Sequence, residues 1–522
     1  MNMRSNRTRL VGLITLCIIT SLLISPVRAD EEYHVIAIMQ APTPTSSGFF
    51  GTDLALHEDL LLISEIEADL GDLQKVGRAY IFDSNWNHVA TLQQPSPKAH
   101  DVFGKSVDVW GDTIAICSGT NVEDMEYAGK VYIYDSEGVL HTTIQSPEPE
   151  TGAGFGLELC LYRDILLVGE ISKDDQGFMN AGVVHVFNSE GDFLRTIHSP
   201  SPINVGHFGS SIDVNDEFIL VGEPGQSDRP KDEGSVHVYD VDYNLVTTLH
   251  SPDNQIRSNF GISVAISGDH VVIGEHCASV DDHEHAGRAH IYDTDWNLVA
   301  TLQSPTPEDN GEFGMDVDIG GGLVVVGERK GDVVTMNEGK AYVFDLEGNL
   351  VDTLVSPEPE VGAQFGWRVV TDGETIVVAD GLHSVDGLSR AGYVHVFGKG
   401  TADFEVNDLT IDPDTVTEGK TVTISIDCTN TGTVSGEYQV VLTINGAVED
   451  ENTVTIGPDE TTSVSFEVTA GEAGEYSVDV NGLSGSYDVE KAQTGIPGFP
   501  LESIVLSMVL AVLLLWLIQR KR

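Results

Sequence analysis

The chain has 522 residues, with 82 acidic against 27 basic side chains and a formal charge of −55 at neutral pH. Seven basic residues (Arg4, Arg7, Arg9, Arg28, Arg520, Lys521 and Arg522) lie in the two terminal tails, so the intervening chain sets only 20 positive charges against all 82 negative ones. Such a surface repels phosphate backbones and excludes nucleic acid as a partner, while it attracts cations and suits high ionic strength. Five cysteines, with no CxxC pair, are too few for a disulfide scaffold or a metal knuckle; Cys17 lies in the leader, and Cys117, Cys160, Cys277 and Cys428 read as small buried hydrophobes.

Residues 1–29 combine a basic start, an apolar run from Leu10 to Ile24 and Val27-Arg28-Ala29 before Asp30, the pattern of a secretory signal peptide. From there to residue 398 a Phe-led motif recurs at Phe50, Phe103, Phe155, Phe208, Phe260, Phe313 and Phe365, in steps of 52 or 53 residues. A fixed period in this range marks a repeat architecture. Each unit holds four short β-branched runs broken by Gly, Asp and Pro, which predicts four antiparallel strands per unit and a seven-bladed propeller over 30–398. The seventh unit stops after three runs at Phe397, and residues 33–39 read as a fourth strand with no unit before it, so the N-terminal strand is expected to complete the last blade.

Residues 401–490 lose the period. Thr421-Val422-Thr423-Ile424-Ser425-Ile426 and Thr462-Ser463-Val464-Ser465-Phe466 alternate polar with apolar, with turns at Asn445-Gly446 and Gly457-Pro458, as in an Ig-like β-sandwich. A breaker-rich linker over 491–500 precedes an apolar run at 501–518 and a basic tail at 519–522. Eighteen residues make about 27 Å of helix, which predicts a C-terminal transmembrane anchor with the tail in the cytoplasm. The expected fold class is therefore all-β, a propeller followed by a sandwich, plus one C-terminal transmembrane helix.

Phe-Gly, the Val-x-Val-x-Gly-Asp hairpin, Val-Val-x-Gly and Gly-x-Val-x-Val-Tyr resemble the FG-GAP repeat family, whose seven-bladed propeller also forms the head of integrin α-subunits. The resemblance implies the fold more than the function. Integrin-type repeats carry an Asp-x-Asp-x-Asp-Gly calcium loop in the first hairpin; here that hairpin is only Asn215-Asp216 or Gly268-Asp269, so those calcium sites do not carry over. Asn430-Thr431-Gly432, with Gly474-Glu475-Tyr476, looks like the CARDB adhesion-related sandwich, which implies a spacer. Pro497-Gly498-Phe499 before a short span and basic tail is similar to archaeal C-terminal sorting signals, which implies tethering at the outer face of the membrane, with the span retained or exchanged for lipid by a sortase-like system.

No Ser-His-Asp motif, phosphate loop or His-x-x-x-His pair is present. Asp281, His283 and His285 alternate in one loop and form the candidate metal set. The Asp83-x-Asn85-x-Asn87, Asp240-x-Asp242-x-Asn244 and Asp293-x-Asp295-x-Asn297 turns carry half of a calcium-loop spacing, but Asp and Asn also cap such turns through backbone amides, the preferred reading. No cofactor is called for; calcium or another divalent cation is the one candidate. At the end of the second run, six repeats place a carboxylate in register: Glu65, Glu170, Glu223, Glu275, Glu328 and Asp380, with Ser118 the exception. These are expected to form a ring near the channel mouth, on the face that carries the long loops such as Ile171 to Asn180, either binding a cation or accepting loop hydrogen bonds. The functional expectation is a surface-anchored binding or adhesion protein with a protein or glycan ligand on that loop face. An extracellular propeller enzyme acting on polysaccharide or a small molecule, and a passive envelope component, are the alternatives.

Overall fold

The computed structural model describes residues 33–520 apart from 123, 226–233, 334–335 and 493–500. The signal peptide, most of the linker and the last two residues of the tail lie outside the described residues. Seven four-stranded antiparallel sheets fill residues 33–399. The first is built from Phe50–His57, Leu60–Glu65, Arg78–Phe82 and His88–Leu92 in spatial order, and the next five repeat that order. The seventh takes Val369–Thr371, Thr375–Asp380 and Tyr393–Lys399 and receives Tyr33–Met39 as its outer strand, Tyr33 pairing with Lys399.

Second and third strands are apolar on both faces because each sheet is packed on both sides. In the first sheet Ala55, Leu62, Ala79 and Ile81 pack against Phe103, Val107 and Ile116 of the second. Leu61, Ile63, Tyr80 and Phe82 instead join Val377, Val394 and Val396 of the seventh. Outer strands face solvent and carry the polar alternation, as in Leu298–Leu302, where only Leu302 is buried. The Phe-Gly pair sits at the seams. Each Phe is at most 1% exposed, and its amide reaches back to the preceding sheet, as Phe313 N donates to Ala286 O at 2.9 Å. Gly287 lies against that bond with φ +89°, where a Cβ would stand 2.0 Å from Phe313 O. Only glycine fits such an approach. The same stitch joins the seventh sheet to the first, Phe50 N to Ala391 O at 2.9 Å.

Residues 404–490 form a three-stranded sheet facing a five-stranded one around Val422, Ile424, Val440, Leu442, Val464 and Val480. Asn445 and Gly446, both at positive φ, make the expected turn. Asn430 is fully buried and ties the loop after its strand: its Nδ2 donates to Val434 O and Ile456 O, and its Oδ1 accepts from Asp403 N and Gly432 N.

The transmembrane expectation does not hold. Among the described residues no helix is long and apolar enough to cross a membrane. The helix that follows the linker is Leu501–Gln519. The span at 501–518, the membrane as a partner and anchoring at the outer face are corrected together, because all three rested on that helix.

Candidate functional site

The aligned acids sit where the second strand ends and are almost wholly buried: Glu65, Glu170, Glu275, Glu328 and Asp380 are 0% exposed and Glu223 5%. All but Asp380 bond to nearby side chains. Glu170 Oε2 accepts from Ser146 Oγ at 2.9 Å and lies 2.8 Å from His185 Nε2, whose Nδ1 meets Thr196 Oγ1 at 2.9 Å. Glu223 repeats this with Ser199, His237 and Thr248, and Glu275 with His290 and Thr301. Tyrosine replaces histidine beside Glu65 (Tyr80) and Glu328 (Tyr342). Burial pushes Glu65 upward and Glu328 up to about 7, and the same burial drives the Tyr80 and Tyr342 hydroxyls upward. At the exception, Ser118, the acid is moved rather than lost: Asp101, 5% exposed, bonds to Gln94, which also accepts from Ser118 Oγ. In the seventh sheet Asp380 is one methylene too short. Its Oδ2 stays 3.7 Å from His395 Nε2, and neither side chain has a hydrogen-bond partner.

The loop residues do not converge. His283 faces Asp309 at 3.4 Å, while Asp281 and His285 are exposed. Among the described residues no group of three or more His, Cys, Asp or Glu is placed to hold a metal ion. The Asp83, Asp240 and Asp293 carboxylates cap their own turns, Asp83 Oδ1 accepting from Asn87 N at 2.8 Å, and these bonds lower all three below the usual carboxylate range. Five of the long loops carry one small hairpin: Asp175 and Phe178 exchange two backbone bonds, as do Leu70 with Leu73, Val122 with Met125, Val280 with His283 and Val385 with Leu388.

A different set of residues does converge. First strands of all seven sheets line one shaft of about 660 Å³. Polar residues at the third place after Phe in six repeats, and Asp108, Asp213 and Asp318 at the fifth, line it, and most of them reach across a seam. Asp53 accepts from Val107 N at 2.8 Å, Asp213 from Ile266 N at 2.7 Å, and Asp316 and Asp318 from Val369 N and Thr371 N. Asp108 does the same for Leu161 N, Glu158 for Ile212 N, and Ser263 Oγ for Val317 N. Without these bonds the inner strand edges would expose unpaired amides. Arg368 closes the circuit from the seventh sheet to the first, donating to Thr52 O and pairing with Asp53 at 3.2 Å and Asp316 at 3.1 Å. Burial opposes its charge, but Asp316 and Asp53 outweigh that and keep the guanidinium protonated. Burial raises the acids held across the seams: Glu158 well above its usual range, Asp213 to about 6, Asp318 to about 7 and Asp108 to about 8.

Seven residues after each Phe, where the strand reaches the short-turn end, stand His57, Trp110, Tyr162, Asn215, Ser267, Gly320 and Asp372. His57, Trp110 and Tyr162 are half-buried and make a fan of rings, with centroids 4.3 and 4.5 Å apart. Sequence reasoning missed the shaft and this mouth. The signal lay in a polar residue at the third place after every Phe, joined by an Asp at the fifth in three repeats.

No curated protein matches the chain. Residues 243–292 and 296–344 match the FG-GAP repeat. Each matched span takes the outer strand of one sheet and the first three strands of the next, Leu245–Leu249 with Val264–Ser267 to Arg288–Asp293 in the first case. Residues 401–487 match CARDB, over the sandwich. The chain carries FG-GAP repeats followed by a CARDB domain.

Proposed function

We propose that the seven sheets are the blades of an FG-GAP propeller that serves as the binding head of an extracellular protein, with the CARDB sandwich as its spacer. The observation that carries this is the shaft, a cavity in the size range of small-ligand sites, walled by all seven first strands and open beside half-buried aromatic rings. The buried Glu–His and Glu–Tyr pairs support binding over catalysis, because their hydrogen bonds lie inside single repeats, away from that cavity. A thermal-shift screen of the full chain against soluble cations, sugars and peptides tests the reading. A true ligand raises the melting temperature with the logarithm of its concentration above Kd, reaching about 2.7 kcal/mol of stabilisation at a hundredfold excess. A chain that no ligand class stabilises, and that associates only with copies of itself, would be a structural component instead.

A further inference from the structure

We propose that the shaft receives an organic cation, bearing alkylammonium or guanidinium groups, through its short-turn mouth beside Trp110. This rests on the binding-head reading and names its site and ligand chemistry. The cavity is polar and acidic: Asp108, Glu158, Asp213 and Asp318 stand on four different sheets, and the one cation among them, Arg368, is already spent on Asp53 and Asp316. Burial disfavours the charged form of these acids, and a cation entering the shaft supplies the counter-charge that favours it.

The shape of the site selects the kind of cation. Each acid is held to its own wall by a backbone amide of the next sheet. No three of them converge on a point, as a compact metal ion requires. An elongated cation with several donors can instead touch acids on separate walls in turn. Aromatic faces at the entrance favour soft organic cations over strongly hydrated ions. The protein uses this chemistry at the same place: Arg163 lies 5.3 Å from the Tyr162 ring centroid and pairs with Asp216, which also accepts from Tyr162. A free polyamine and a Lys or Arg side chain of a partner share this chemistry.

Calorimetric titration of the full chain in ~0.15 M salt with spermidine, a short Lys/Arg peptide and calcium tests the proposal. Salt at that level screens loose association with the acidic coat. The expected result is one saturable spermidine site per chain, weakened about tenfold by Trp110→Ala and severalfold by Asp318→Asn, and unchanged by Glu449→Gln on the sandwich. If the peptide binds at the same site more tightly than spermidine, a partner's basic side chain is the source. If Trp110→Ala lowers the melting temperature, Asp318→Asn alone decides. Spermidine binding that ignores both shaft variants, or that calcium displaces at equal concentration, overturns the assignment. A stabilising non-cationic ligand found in the thermal-shift screen, with no spermidine site, overturns this inference alone. No ligand of any class overturns the binding head as well.

Discussion

Asp380 offers a stabilising substitution that the other repeats have already tested. In the third, fourth and fifth sheets the Glu oxygen lies 2.8 Å from its histidine. In the seventh, Asp380 leaves 3.7 Å to His395, and both residues are fully buried. Asp380→Glu lengthens the side chain by one bond, ~1.5 Å, against a shortfall of 0.9 Å, the difference between those two distances. The added methylene has room: the third sheet fits Glu170 beside Ala153, and the seventh has Ala363 in the same place. Closing one buried donor–acceptor gap contributes about 1–2 kcal/mol. For ~365 cooperative residues that raises the melting temperature by about 1–3 °C. Adding Ile38→Thr supplies the hydroxyl that Thr196, Thr248 and Thr301 offer elsewhere, since Ile38 pairs with His395. Differential scanning calorimetry of the full chain reads the shift. The reciprocal Glu275→Asp should lower the midpoint by a similar amount. A lowered midpoint for Asp380→Glu, or a neutral Glu275→Asp, would refute the argument that this gap is unfilled.

Gly287→Ala forces a Cβ against Phe313 O at positive φ and should cost about 3 kcal/mol or more, seen as earlier unfolding in the same calorimetry. Because folding raises Asp213, Asp318 and Asp108 to about 6, 7 and 8, their contribution is full below the unfolded carboxyl range near pH 4 and is lost as pH rises through 6–8. Melting temperature should therefore fall from pH 5 to pH 9, and Asp108→Asn should flatten the upper part of that decline. Asn430→Ala removes the anchor of four buried bonds and should destabilise the sandwich by about 2–4 kcal/mol, measured by protease susceptibility of residues 401–490.

The repeats and the sandwich are legible because their signals are local and periodic. Phe-Gly and the Gly before the third strand recur wherever one sheet's backbone touches the next, and the sandwich strands alternate in register with burial. The shaft was obscured because the first strands of three repeats slip register just after Phe, between Phe50 and Leu54, Phe155 and Glu158, and Phe313 and Val317. That slip breaks the simple alternation that would have turned Asp53, Glu158 and Asp316 inward on paper. The acids at the ends of second strands were visible as a column, but their partners, Ser146 and His185 for Glu170, lie 24 and 15 residues away and meet only in the fold. The C-terminal expectation rested on apolar composition at 501–518 alone, whereas among the described residues no helix is both long and apolar enough to cross a membrane.

The strand Tyr33–Met39 has a consequence for biosynthesis. It leaves the ribosome first among the described strands, yet its partner, Tyr393–Lys399, is made last of all those in the seven sheets. At roughly 5–20 residues per second the ~360 residues between them take some 20–70 s to emerge. Throughout that interval Val35, Ile36 and Ile38 belong to an edge with nothing to pair against, while the sheets behind them can stack only as an open arc. The nascent chain therefore passes through a stage with two sticky ends, and a second nascent copy nearby can supply the missing strand as readily as its own late-made end, which makes exchange of this strand between chains the characteristic assembly error of this architecture.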